Sequence, residues 1–322
     1  MLGTIKNWVK KLVGTAETEE KVRGLYYKTE ADKAQLRAEI EKTREENLFA
    51  TGTLLVKNLK QGPEPKQLAD SEFKVFSQYG EDGIIQYLIH KIPEIPKSFI
   101  EFGVESYVEA NTRFLLMHDS WRGLIIDGSD SNMELVRKSD LYWKHELKAV
   151  SAFITRENIN RLFEENGFTG DIGILSIDID GNDYWVWESI NTVNPAIVVV
   201  EYNANLGCEK AISVPYNPEF VRSAAHYSFL YFGASLPAFY HLASKKGYAF
   251  LGCNLAGNNA FFVRNDYASR FRIAGLKEGF VRGQARETRD ENGQLTFAGE
   301  AERKAILENL PYVEVYQGLL KK

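Results

Sequence analysis

From about residue 70 onward, the chain alternates short apolar runs with longer stretches in which apolar positions recur at helical spacing. The apolar runs predict strands at 98–103, 123–127, 146–151, 172–178, 196–202, 247–253 and 260–264. The stretches between them predict helices, for example at 81–91, 109–119, 157–166 and 234–246. Strands that alternate with helices are typical of an α/β fold with a doubly wound, mostly parallel sheet.

The connections near the C-terminus are too short for this parallel pattern. Only the segment NLAGNN separates the last two predicted strands, and a parallel crossover needs a dozen or more residues. These two strands are therefore expected to form an antiparallel hairpin. Asn292-Gly293 predicts a second hairpin turn in a C-terminal extension.

The first 62 residues have a different pattern, and we expect a helical extension and linker there, followed by one large domain at 63–322. Residues 16–48 are highly charged and favour a helix with an irregular, heptad-like seam formed by Val22, Leu25, Thr29, Leu36, Ile40 and Thr43. Two interpretations of this helix stay open. It can mediate self-association, which would give a homo-oligomer, or it can be a solvated helix without a partner. The segment KQGPEPKQ at 60–67 is typical of a linker.

Residues 1–14 place apolar side chains at helical spacing among three lysines. Such a segment can lie in a membrane interface, as a peripheral contact, or pack on the protein's own surface. No apolar run approaches the ~20 residues needed to span a bilayer. The two cysteines, Cys208 and Cys253, are too few for a disulfide framework. A cytoplasmic location is expected, and the net charge of −5 argues against a nucleic-acid partner.

The segment ILSIDIDGND brings Asp178, Asp180 and Asp183 to the end of an apolar strand. A buried carboxylate without a partner costs several kcal/mol, so these acids are expected where the strand leaves the sheet. Asp180-Gly181 suits a tight turn. Asp183 suits the N-cap of the helix that follows.

Other predicted strands also end in polar side chains, namely Glu101 with Glu105 just beyond, Asp127, and Glu201 with Asn203 just beyond. Ligands of open α/β sheets bind at the carboxyl ends of the strands. Such a site is strongly negative unless a cation fills it. In the segment EFGVES, Gly103 is kept, but Glu105 stands where a dinucleotide site needs a second glycine, and its carboxylate would repel a pyrophosphate.

S-adenosylmethionine (SAM) carries a sulfonium and an ammonium but no phosphate, so an acidic site suits it. Asp127 lies 24 residues beyond Gly103. This position fits an acid that ends the second strand and binds ribose hydroxyls.

Residues 76–264 resemble class I SAM-dependent methyltransferases, particularly the FkbM-like group. The resemblance is carried, in order, by FSQYGEDGIIQYLI, FIEFGVESYVEANTRFLL, GLIIDGSD, ILSIDIDGNDYWVW and GASLPAFYHLASKKGYAFLGCNLAGNNAFFV. It implies a Rossmann-like, seven-stranded sheet with the last strand reversed. It also implies that the cofactor is lined by Gln78, Glu101, Gly103, Asp127 and Ser129, together with residues near Ala152 and Asp178. Glu105 and Gly128, at the same strand ends, complete the predicted cofactor-binding set.

Methyl transfer to a hydroxyl needs either a general base or a metal ion. Asp178, Asp180, Glu201 and Asn203 offer hard oxygen ligands of the kind that Mg²⁺ prefers, and Mn²⁺ also accepts. Without a metal, Asp180 or His226 is the candidate base. His226 lies in the long segment 213–236, which is expected to cover the acceptor.

The sequence thus predicts a SAM-dependent O-methyltransferase that acts on a hydroxyl of a sugar, glycan or related small molecule, with divalent metal assistance as one option. Two alternatives stay open. One is a glycosyltransferase that holds a metal and a nucleotide sugar through Asp178-x-Asp180. The other is a methyltransferase-like scaffold subunit without activity.

Overall fold

The computed structural model describes residues 16–316, and most of its strands form one seven-stranded sheet. The strands of this sheet are β1 (Ser98–Phe102), β2 (Arg122–Asp127), β3 (Leu147–Ser151), β4 (Gly170–Ile177), β5 (Val193–Glu201), β7 (Tyr248–Cys253) and β8 (Asn259–Arg264). Their order is β3-β2-β1-β4-β5-β8-β7. In the part of the sheet that runs β3-β2-β1-β4-β5, each strand is parallel to its neighbours, whereas β8 is antiparallel to both β5 and β7. A two-stranded ribbon joins β6 (Ile212–Ser213) to β9 (Val313–Glu314).

The described helices mostly fall between the strands. They are α1 (Ala16–Gln61), α2 (Glu81–Lys91), α3 (Arg113–Asp119), α4 (Asp130–Lys138), α5 (Asp140–Lys144), α6 (Ile159–Glu165), α7 (Asp183–Ser189), α8 (Arg222–Ala225), α9 (Leu236–Lys246), α10 (Leu276–Gly279) and α11 (Glu300–Glu308). Short 3₁₀ helices form at Leu68–Ser71, Ala204–Leu206 and Asn265–Arg270. None of the described helices is long and apolar enough to cross a membrane.

The strand order and the reversed β8 are those of the Rossmann-like methyltransferase fold, so the predicted fold class is confirmed. All seven predicted strands form, with boundaries within three residues of the expected ones. The predicted hairpin between the last two strands also forms. The turn predicted at Asn292-Gly293 forms as well, closed by a single antiparallel bridge between Arg289 and Leu295.

The sheet has an apolar layer on each face because its central strands alternate their side chains between the two. Ile100 and Leu175 pack into one layer, whereas Phe99 and Ile174 pack into the other. In the middle of β5, Ala196–Val200 is fully buried. Near-continuous apolar runs of this kind are expected where helices cover both faces of a parallel sheet.

The chain divides into two compact units within α1, between Thr51 and Gly52, whereas the sequence predicts the boundary near residue 62. In the N-terminal unit, residues 20–44 are exposed helix. In the main unit, which begins at Gly52, Val56 is buried. A Cβ added to Gly52 would come within 2.6 Å of the Val75 side chain and 2.9 Å of Phe114, so the last turns of α1 are closely packed. The expectations for residues 1–14 lie outside the described residues.

Candidate functional site

The carboxyl ends of β1, β2, β4 and β5 open on one cavity of about 420 Å³. The predicted site residues that line this cavity are Gln78, Glu101, Gly103, Glu105, Asp127, Gly128, Ala152, Asp178, Asp180 and Glu201. Ser129, Asn203 and His226, which were also predicted, are not among the lining residues. The structure therefore brings together predicted site residues that are up to 123 positions apart in the sequence, from Gln78 to Glu201.

The loop after β1 brings the chain very close to the end of β4. Gly103 has a φ of +63°, and a Cβ at this position would lie 1.7 Å from the main-chain oxygen of Asp178. Only glycine fits such an approach in a left-handed conformation. The loop continues through Glu105 and Tyr107, which also have positive φ values of 47° and 59°. These two residues give the loop the turns that a glycine-rich sequence would otherwise supply.

Glu101, at the buried end of β1, holds the C-terminal part of the same loop in place. Its carboxylate accepts hydrogen bonds from the backbone N–H of Asn111 (2.8 Å) and of Thr112 (3.0 Å), and from the Thr112 hydroxyl. These donors favour the carboxylate, but burial outweighs them and raises the pKa of Glu101 to about 7. Because residues up to 112 are held in this loop, α3 starts at Arg113 rather than at the predicted residue 109.

Asp127 ties the first two strand ends together. Its Oδ2 accepts the backbone N–H of Glu105 and its Oδ1 accepts that of Ser129, both at 2.8 Å. Each carboxylate oxygen has a second lone pair that can accept a ligand hydroxyl. Ser129 instead caps α4, where its hydroxyl accepts the N–H of Asn132.

Gln78 reaches the cavity from a loop that Asp82, at the start of α2, holds in place. Oδ2 of Asp82 accepts the backbone N–H groups of Val75, Phe76 and Ser77 at 2.7–2.8 Å. This role of Asp82 was not predicted from the sequence. The usable signal was an acid in the first turn of a helix, a few residues after the backbone that it binds.

The three acids after β4 have separate roles. Asp183 is fully buried and bends the chain, because its carboxylate accepts the N–H of Ile179 (2.8 Å) and of Gly181 (2.9 Å). The N-cap of α7 is Asn182, so the expectation that Asp183 caps this helix is wrong. Asp180 lies in the turn itself and has a φ of +56°, whereas Asp178 directly follows the end of β4. The predicted turn at Asp180-Gly181 thus forms.

Asp178, Asp180 and Glu201 converge at the ends of β4 and β5. One carboxylate oxygen from each lies within 4.8 Å of the others. Oε2 of Glu201 is buried and has no hydrogen-bond partner among the described residues. Burial first, and the neighbouring carboxylates second, raise the pKa of Asp178 and of Glu201 well above their ordinary values. This acidic triad therefore favours a proton or a cation between its members.

Arg222 is the basic residue of the cavity lining, and it was not predicted from the sequence. It belongs to α8, and its Nη1 donates to Oδ1 of Asp180 at 2.5 Å. Its Nε donates to the carbonyl of Phe229 (3.0 Å), and its guanidinium lies 3.8 Å from the centre of the Phe232 ring. These contacts hold the guanidinium at the edge of the acidic triad, where it offsets part of the negative charge.

Two predicted residues are placed away from the triad. Asn203 is fully buried, and its amide donates to the carbonyls of Leu230 (2.8 Å) and Phe232 (3.0 Å). Its Oδ1 accepts the backbone N–H of Asn205, so this side chain holds the loop over β5 instead of facing the cavity. His226 exchanges a hydrogen bond with Ser228 at 2.8 Å and lies outside the cavity lining.

The ionisable side chains that line the cavity are mostly acidic. Among the described residues that line it, seven are acidic: Glu101, Glu105, Glu109, Asp127, Asp178, Asp180 and Glu201. Arg222 is the one lysine or arginine in that lining. A ligand rich in phosphate would be repelled here, whereas a cationic ligand or a bound metal ion would be attracted.

Comparisons with known proteins give weak structural likenesses only. Neither a protein-family model nor a curated protein sequence matches the chain. Similar solved structures include the N-terminal domain of EvdMO1 with S-adenosylhomocysteine (SAH) bound, with a TM-score of 0.38, 10% identity, and coverage of 68% of this chain and 94% of that chain. An O-methyltransferase from Bacillus cereus in complex with SAH has a TM-score of 0.38, 12% identity, and coverage of 68% and 89%. M. capricolum TrmK in complex with SAH has a TM-score of 0.32, 10% identity, and coverage of 69% and 81%. These scores are low, and the fold assignment rests on the strand order instead.

Proposed function

We propose that the protein is a SAM-dependent O-methyltransferase that acts on a hydroxyl of a sugar or related small molecule with the help of a divalent metal ion. The observation that carries this proposal is the convergence of Asp178, Asp180 and Glu201 in the same cavity as Gly103 and Asp127. One cavity then offers a cofactor edge and, beside it, a cation-binding edge.

The cofactor edge is formed by the ends of β1 and β2. Asp127 is fixed by two backbone N–H groups and keeps acceptor capacity for the ribose hydroxyls. The acidic lining suits the sulfonium and ammonium of SAM and would repel the phosphates of a dinucleotide. The volume of about 420 Å³ lies within the range of small-molecule pockets.

The acidic triad fits a hard divalent cation. It offers three carboxylates, the ligand type that Mg²⁺ takes, and Oε2 of Glu201 has no other described partner. A cation here would reverse the electrostatic cost that raises the pKa of Asp178 and Glu201. When bound, such an ion would lower the pKa of an acceptor hydroxyl.

The protein's own residues would position the acceptor. Phe220 and Arg222 form the wall next to the triad, and Phe220 is held against the turn, since a Cβ on Gly181 would lie 2.2 Å from its ring. Catalysis of methyl transfer depends mainly on alignment of the acceptor oxygen, the methyl group and the leaving sulfur. If no metal takes part, Asp180 is the exposed carboxylate on this wall that can accept the hydroxyl proton.

The acidic lining also counts against the glycosyltransferase alternative. Asp178-x-Asp180 is present, but Arg222 is the only described basic residue in the lining and is paired with Asp180. A nucleotide diphosphate would find no unpaired basic side chain among the described lining residues, so a metal ion in the triad would have to match its charge alone. A scaffold subunit without activity remains the alternative if no methyl donor binds.

Calorimetry with SAH, NAD and a UDP-sugar tests the cofactor assignment. We expect binding of SAH alone; binding of NAD or the UDP-sugar instead would overturn the proposal. Failure of all three to bind would favour the scaffold alternative.

Titration with Mg²⁺ or Mn²⁺ tests the metal assignment separately. Glu201→Gln should weaken metal binding at least about tenfold, the effect of losing about 1.4 kcal/mol, because it removes one charged ligand. Asp171→Asn is the matched control, since Asp171 is an exposed acid at the other end of β4. Full turnover in EDTA would remove the metal from the proposal and leave Asp180 as the base.

A further inference from the structure

An apolar stripe runs along the exposed helix of the N-terminal unit. Val22, Leu25, Tyr26, Leu36 and Ile40 are each more than half exposed. With 3.6 residues per turn, these side chains lie within roughly 60° of one line along α1. A helix with a thin apolar stripe is marginal in water and gains stability when the stripe is covered. The helix would therefore be stabilised by a partner whose apolar surface covers the stripe.

The apolar residues of the stripe are spaced almost symmetrically about Ala31. Val22 and Ile40 both lie nine residues from Ala31, and Leu25 and Leu36 lie six and five residues from it. A second copy of the helix, turned end over end, would place Val22 opposite Ile40 and Leu25 opposite Leu36. We propose that residues 20–44 of α1 pair in this antiparallel way with the same segment of a second copy of the chain.

The charges beside the stripe favour the antiparallel arrangement. On one flank, Lys21 would face Glu39 of the second copy, and Lys28 would face Asp32. On the other flank, Arg23 would lie between Glu41 and Arg37, and Glu30 would meet its own copy, so the pairs of opposite charge outnumber those of like charge. Pairs of opposite charge beside an apolar seam set the orientation of paired helices.

A parallel pair would be electrostatically less favourable. The two flanks of the stripe would then face each other at equal height, which brings Arg23 against Lys21 and Glu41 against Glu39, besides the opposite charges of Lys28 with Glu30 and of Glu39 with Arg37. Lys33, which lies within the stripe, would also meet its own copy. Like charges at these positions disfavour the parallel dimer.

Sedimentation of the full-length protein tests whether the stripe is an interface. We expect a dimer of the 36.6 kDa chain at micromolar concentration. Ile40→Glu should shift it to a monomer, because it places a charge in the seam. Ala31→Glu is the matched control: it adds the same charge on the opposite face of the helix and should leave the dimer intact.

Cross-linking tests the orientation in a Cys208→Ser background, which removes the more accessible native thiol. Val22→Cys alone should not form a disulfide dimer, since the two thiols would lie about 27 Å apart along the helices at 1.5 Å per residue. A mixture with Ile40→Cys protein should cross-link. Lys21→Glu should weaken the dimer, and adding Glu39→Lys should restore it.

Three outcomes would overturn the proposal. They are a monomeric full-length protein, a dimer that persists in Ile40→Glu, and efficient cross-linking of Val22→Cys to itself. Binding of the monomer to anionic vesicles would assign the stripe to a membrane surface instead. SAH binding should be the same in all these variants, so the result is independent of the proposed methyl transfer.

Discussion

The α-carbon of Gly103 lies directly against the main-chain oxygen of Asp178, so that a Cβ at position 103 would be 1.7 Å from that oxygen. This contact joins the first loop of the sheet to the first acid of the triad. The proposed cofactor edge and the proposed cation-binding edge of the cavity therefore share one backbone contact, and a change at Gly103 is expected to affect both.

Gly103→Ala tests this contact. Gly170 is the matched control, since it has a similar φ of +70° but nothing within 4 Å of its added Cβ. Gly170→Ala should lower the free energy of unfolding by about 1–2 kcal/mol, the cost of a left-handed conformation alone. Gly103→Ala should cost more in urea unfolding and should abolish SAH binding in calorimetry. Equal effects of the two substitutions would show that the contact is unimportant.

Asp127→Ala should weaken SAH binding by about 1.5–3 kcal/mol, the range for hydrogen bonds to a charged group. The carboxylate is expected to bind the ribose and also holds the N–H of Glu105. Asp130→Ala, which removes an exposed acid in the first turn of α4, should leave SAH affinity unchanged. Unchanged affinity in Asp127→Ala would place the ribose elsewhere.

Arg222→Met should increase the affinity for Mg²⁺ or Mn²⁺ by about tenfold, because the guanidinium repels a second cation and occupies Asp180. Arg222→Lys keeps the positive charge and should change the affinity much less. Calorimetric metal titrations of the three proteins give the comparison. A loss of metal binding in Arg222→Met would instead mean that Arg222 helps to assemble the triad.

The pKa of Glu101, raised by burial from 4.5 to about 7, gives a pH dependence with a definite sign. Between these pH values the folded protein binds more protons at this site than the unfolded chain, so the stability that Glu101 contributes is present below pH 4.5 and is lost as pH rises to about 7. Glu101→Gln should therefore be most destabilising at about pH 4.5 and below. Its penalty should shrink by up to about 1.4 kcal/mol per pH unit toward pH 7. Urea unfolding of both proteins across this range measures the difference, and a constant difference would contradict the prediction.

The fold was largely predictable because its signals are local. Alternating apolar runs and amphipathic stretches mark the strands and helices, and the six residues NLAGNN between the last two strands exclude a parallel crossover. Acids at strand ends could likewise be assigned to one edge of the sheet, since parallel strands end together. This reasoning brought Asp127, Asp178 and Glu201 into one cavity, where the structure places them.

The remaining site residues depend on contacts between distant segments, which the sequence pattern does not contain. Asn203 stands at a strand end like the acids, but its amide is used by the carbonyls of Leu230 and Phe232. Arg222 comes from a long segment whose path over the sheet has no periodic signal. His226, four residues further on, is turned toward Ser228.

The continuity of α1 across the boundary at Gly52 limits how the chain can be shortened. The proline-containing segment near residue 63 looks like a natural place to cut. A chain that begins there would lose the helical turns that carry Val56 and would uncover Val75 and Phe114 to water. Such a fragment should aggregate or melt at a lower temperature. A fragment that begins a few residues before Gly52 should keep the sheet and its cavity while leaving out most of the charged helix.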